Sequence, residues 1–90
     1  MEPRDLYARA VAKWGQHAVL LKLAEECSEL SSATVHWVLG DLKPGPRYDD
    51  VLEELADVEI MLEQMRSLGM DWSGVRQRKL DRLARLVGAV

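Results

Sequence analysis

Apolar residues along this chain return every three or four positions, the period of one helix face, and nowhere alternate as a half-buried strand would. Val19, Leu23, Leu30 and Trp37 mark one such stripe, and Val51, Leu55, Val58, Leu62 and Met65 mark another. Gly and Pro supply the breaks. Gly15 separates a first short segment from a long one, "GDLKPGPRYDD" (Gly40 to Asp50) reads as the main loop, and Gly69 precedes "MDWSG". The spacing predicts helices over 3–14, 16–39, 48–68 and 73–87, with Pro3 in a first turn and Asp71 or Ser73 capping the last. No tandem repeat or low-complexity tract interrupts them. The expected fold is all-α: a single domain over 1–90, a bundle of about four helices whose long central pair runs antiparallel.

The polar positions break the pattern in one place. In "LAEECSELSSA" (Leu23 to Ala33), a turn of about 100° per residue puts Glu26 inside the apolar arc formed by Val19, Leu23, Cys27, Leu30 and Trp37. Glu29 lies about 60° away at its border. In the next long helix Glu54 occupies the same place beside Val51, Leu55, Val58, Leu62 and Met65, and Asp57 repeats the position of Glu29. The strings "EECSEL" and "EELADV" therefore align, acid for acid. If the two helices pack antiparallel through these arcs, Glu26, Glu29, Glu54 and Asp57 converge.

Four converging carboxylates repel and resist desolvation unless protons or cations neutralise them. Oxygen-only donors suit hard cations, Mg²⁺ first and Mn²⁺ as the alternative, and Mg²⁺ commonly shares its coordination with substrate phosphates. A solvated acidic face is the plainer account of any one ExxE. A carboxylate-bridged di-iron bundle needs Glu-x-x-His pairs, and His17 and His36 fall in neither slot.

Composition narrows the picture further. The 90 residues carry a net charge of −3, with 30% charged and 48% apolar, which fits a folded domain and argues against a general nucleic-acid binder. A chain this short gains core by self-association, so a homo-oligomer is expected. One cysteine, Cys27, leaves no internal disulfide or CxxC knuckle and is expected to pack as a small apolar side chain. No stretch is long and apolar enough for a membrane span or a signal peptide, so the reading is cytoplasmic, with no membrane partner.

The ordered set "KWG", "LAEECSEL", a spacer over 30–53, "EELADVEIMLEQM" and "KLDRLARL" resembles the MazG-like all-α nucleoside triphosphate pyrophosphohydrolases, over about residues 9–86. Their hallmark is ExxE, a spacer and ExxD on two antiparallel helices. The resemblance implies a helical bundle completed as a homodimer or homotetramer and Mg²⁺-dependent cleavage of a nucleoside triphosphate to monophosphate and pyrophosphate. Carried over, Glu26, Glu29, Glu54 and Asp57 are the metal ligands, and Glu25 is an added ligand or a base that orients water. Water then attacks the phosphoanhydride while the cations clamp its charged oxygens. One departure stands out: related sequences often carry Gln four residues after the Gly of "WG", where this chain has Val19.

The cations complete the candidate list. Val75, Leu80, Leu83, Leu86 and Val87 surround Lys79 on the last helix, so Lys79 is expected to face a core and meet a triphosphate or a carboxylate, or else to snorkel. Arg82 at the border is a second phosphate contact. Lys22 shares a face with Glu26 and Glu29, as an i,i+4 ion pair or a phosphate contact. Trp37, on the Glu26 side of its helix, is a candidate for the nucleobase. The function expected is nucleotide-pool housekeeping by pyrophosphohydrolysis. The alternatives are a phosphoribosyl-ATP pyrophosphohydrolase and a non-catalytic helical interaction module.

Overall fold

Pro3, Pro46 and Ser73 each open a helix, and the computed structural model, which describes residues 1–89, has four of them: α1 (Pro3–Trp14), α2 (Gln16–Leu39), α3 (Pro46–Ser67) and α4 (Ser73–Leu86). Among the described residues there is no strand. The first two helices coincide with the predicted spans. The third begins two residues early, because Pro46 fits a first helical turn, where its missing N–H costs nothing. Among the described residues no helix is long and apolar enough to cross a membrane.

The breaks have local causes. Gly15 adopts φ 85°, a conformation that favours glycine, and turns α1 into α2. The α2–α3 loop is pinned from both ends. The Trp37 indole N–H donates to the Lys43 carbonyl at 3.1 Å, its ring lies 5.2 Å from that of Tyr48, and Arg47 donates to the His36 carbonyl at 3.1 Å. Before α4, the Asp71 carboxylate accepts the Ser73 backbone N–H at 3.0 Å, which holds Asp71 below its usual pKa.

Packing centres on α2 and α3, with α1 leaning on both; Tyr7 of α1 donates a hydrogen bond to Glu63 of α3. The core is small. Val19, Met61 and Met65 form its buried cluster, and Val11, Leu20, Leu23, Leu68 and Trp72 pack around them. Among the described residues α4 packs along no other helix and buries none of its own side chains. The consequence is a large surface: 7030 Å², against about 5300 Å² for a compact monomer of this mass. The radius of gyration is 16.3 Å, where about 12 Å is usual for this length.

Candidate metal centre

Glu26 follows Val19 by seven residues on α2, two helical turns along the same stripe, so it enters the interface that Val19 closes against Met61 and Met65. It is 7% exposed. Glu29, one turn further, is exposed, and Glu54 reaches in from α3 half-buried. One carboxylate oxygen from each of the three lies within 4.8 Å of the others.

The electrostatics of this cluster are unfavourable as it stands. Repulsion from Glu26, with lost hydration and then Glu54 behind it, raises the Glu29 carboxyl above its ordinary pKa. One ammonium offsets part of the charge. Lys22 Nζ stands 3.2 Å from Oε1 of Glu25 and 3.2 Å from Oε1 of Glu26, and the two carboxylates hold its pKa up, Glu25 first. Oε2 of Glu26 and Oε2 of Glu54, both buried, have no hydrogen-bond partner among the described residues. A buried carboxylate oxygen without a partner is costly, and a hard cation shared by these two groups and Glu29 would remove that cost. The donor set, all oxygen and anionic, fits Mg²⁺ or Mn²⁺.

The other expected site residues are placed less uniformly. Asp57 is exposed and stands outside this oxygen cluster, but it lines the same cleft as Glu26 and Lys22. Glu25 points to solvent and is engaged with Lys22. Lys79 does not face a core within the chain: it and Arg82 are exposed on α4, whose apolar side has no partner helix among the described residues. Trp37 is half-buried and engaged with the loop, and it does not line the cleft. Cys27, expected to be packed, is exposed, because α2 turns that flank of its arc away from α3.

Beside the carboxylates a cleft of about 510 Å³ opens between α1, α2 and α3. Each helix contributes residues at helical spacing: Ala10 and Trp14; Val19, Lys22 and Glu26; Asp57, Met61 and Gln64. Gln64 is the residue that sequence reasoning missed. It is 5% exposed, and its Nε2 is buried with no partner among the described residues. The signal was available, since Gln64 follows Asp57 by seven residues and therefore shares its face. Val19 lines the same cleft. In comparisons with protein-family models, with curated proteins and with solved structures, the chain matches none.

Proposed function

We propose that this chain is a homo-oligomeric, Mg²⁺-dependent nucleoside triphosphate pyrophosphohydrolase that converts a (d)NTP and water to a (d)NMP and pyrophosphate in the cytoplasm. The observation that carries the reading is the cluster of Glu26, Glu29 and Glu54, with two buried, unpartnered oxygens, beside a cleft large enough for a small molecule. A structural bundle gains nothing from acids there, since apolar residues of similar volume would serve stability as well or better.

Glu26, Glu29 and Glu54 would hold the cation, with Asp57 turning in from the cleft wall. When bound, Mg²⁺ polarises the phosphoanhydride and offsets charge on its oxygens. The chain's own groups do the rest. The carboxylates would fix where the triphosphate chain lies only by holding the cation, since without it they repel phosphate. Lys22 bears on Glu26 from the solvent side and gives the cleft one positive group for a phosphate oxygen. Glu25, exposed beside them and paired with Lys22, would serve as an added ligand or as a base that orients water.

Self-association is part of the proposal, as a dimer or tetramer. The excess surface, the exposed Leu52, Leu55, Leu62, Leu80 and Leu83, and the unpartnered α4 all support it. Association also offers Lys79 and Arg82 a route to the site of a second copy. An antiparallel α2–α3 pair is supported by contacts that run in opposite order: Val19 meets Met61 and Met65, and Glu29 meets Glu54.

The test is turnover. The protein is incubated with Mg²⁺ and a panel of dNTPs, NTPs and phosphoribosyl-ATP, and pyrophosphate is assayed against orthophosphate. Pyrophosphate release that Glu54→Gln abolishes with the fold intact is the expected result. Orthophosphate alone would overturn it, and turnover confined to phosphoribosyl-ATP would reassign the substrate. No turnover, together with no Mg²⁺-dependent rise in melting temperature, would make the chain an interaction module.

A further inference from the structure

We propose that the cleft between α1, α2 and α3 is a nucleoside pocket in which Gln64 hydrogen-bonds the edge of the base and so decides which base is taken. The inference rests on the reading of the acidic cluster as a phosphoanhydride site and adds to it the residue that sets specificity.

Three observations converge. The cleft, at about 510 Å³, lies within the range of small-ligand sites and joins apolar walls to a few polar groups. Trp14, Val19, Ile60 and Met61 supply the walls. Trp14 lines the cleft and is 62% exposed as a residue, with Lys13 Nζ 5.5 Å from its ring centroid, so the wall includes exposed aromatic surface of the kind on which a flat ring stacks. Gln64 supplies the third. A buried amide nitrogen without a partner is uncommon in folded proteins and is satisfied when a ligand brings the missing acceptor. An amide presents a donor and an acceptor side by side, the pattern that matches the edge of a base and that a ribose does not offer in one plane.

Position fits this role. Gln64 stands between Met61 and Met65 at the Val19 end of the α2–α3 interface, while Asp57, seven residues earlier on α3, lies at the carboxylate end. Seven residues of helix span about 10 Å, on the order of the length of a nucleoside 5′-phosphate. A ligand with its phosphates at the carboxylates therefore brings its base to Gln64.

The experiment separates this inference from the reading beneath it. The full chain, in EDTA so that no cation contributes, is titrated with adenosine, guanosine, cytidine, uridine, thymidine and free ribose. Binding is read by tryptophan fluorescence and calorimetry, with Trp14→Phe identifying the responding indole. The expected result is preference for one base. Gln64→Leu should weaken that nucleoside about tenfold, level the series and leave ribose unaffected. Gln64→Leu keeps the volume and removes an unpaired polar group, so it folds at least as well as the parent. Gln64→Glu, which has lost the donor, should reorder the series. With Mg²⁺ and the preferred triphosphate, Gln64→Leu should raise KM about tenfold and lower kcat much less. Equal nucleoside affinities for the parent and Gln64→Leu, or no nucleoside binding by the parent, would overturn the pocket even if triphosphates are cleaved. Gln64-dependent nucleoside binding without any cleavage would keep the pocket and remove the phosphoanhydride reading.

Discussion

The α2–α3 interface has two halves built from the same helical spacing and opposite chemistry. At one end Val19, Met61 and Met65 exclude water and one another's voids; at the other Glu26, Glu29 and Glu54 occupy the corresponding places and repel. The first half stabilises the fold, and the second is tolerated because the first exists. A small core under an unfavourable charged cluster is the arrangement expected where stability is given up for a binding site. Substitutions should therefore have opposite signs in the two halves. Met65→Ala, at a site 1% exposed, should cost about 2–5 kcal/mol in urea unfolding of the metal-free protein. Glu26→Leu should be neutral or stabilise by about 1–3 kcal/mol, since it removes a buried oxygen that has no partner. If Glu26→Leu destabilises as Met65→Ala does, Glu26 is a structural residue and the contrast fails.

The same contrast sharpens when Mg²⁺ is present. Glu54→Gln should leave the metal-free melting temperature equal or higher and erase its rise with added Mg²⁺. Pyrophosphate release should fall about a hundredfold or more, given that even outer-shell partners of a metal commonly cost 10–100-fold. Met65→Ala should instead lower both melting curves together and keep their separation. Differential scanning fluorimetry with and without Mg²⁺ reads both variants in one plate.

How far the sequence revealed these halves depends on which side of a helix finds a partner. The helix spans followed from spacing to within two residues, because a period of about 3.6 fixes which residues share a face. The meeting of Glu26 and Glu29 with Glu54 needed in addition that α2 and α3 pack through those faces, and Asp57, expected with them, stands outside the cluster. The phase of the α3 core followed in part. Of the arc expected beside Glu54, Met65 and Val51 are buried and Val58 is half-buried, but the buried strip extends past Glu54 to Met61 and Gln64 and leaves Leu55 and Leu62 exposed. A helical period names the residues of one face, and only the partner decides where its covered strip ends. Lys79 was misplaced for the same reason, since an amphipathic helix announces a face without naming what covers it. Gln64 escaped because a single Gln in a helix carries no signal until its neighbours along the stripe, Asp57 and Met61, are known to line a cleft.

The exposed flank and α4 bear on self-association. If copies of the chain meet through them, Leu83→Lys, at a residue 53% exposed in the monomer, should lower the mass measured by light scattering and remove the dependence of the melting temperature on protein concentration that the associated parent shows. An unchanged mass would mean that α4 lies outside the interface. The effect on stability within one chain should be smaller than that of Met65→Ala, because Leu83 is 53% exposed there and Met65 only 1%.

The smallest expected effect concerns how α4 is joined to the rest. Asp71, exposed before the helix, accepts the Ser73 N–H, and that hydrogen bond lowers its pKa below 3.8. A carboxyl held low in the folded state contributes stability above its unfolded pKa and loses it as pH falls through the folded value. Asp71→Ala should therefore lower the melting temperature slightly at neutral pH, and the difference should vanish in acid, well below 3.8. The charged cluster behaves oppositely. Glu29, held high by Glu26, favours the unfolded chain as pH rises from 4.5 through its folded value. Glu29→Gln in metal-free protein should therefore gain stability at neutral pH and lose that gain in acid. Two exposed carboxylates with opposite slopes distinguish a group that holds the fold from one that its neighbours repel, and matching slopes would remove the distinction.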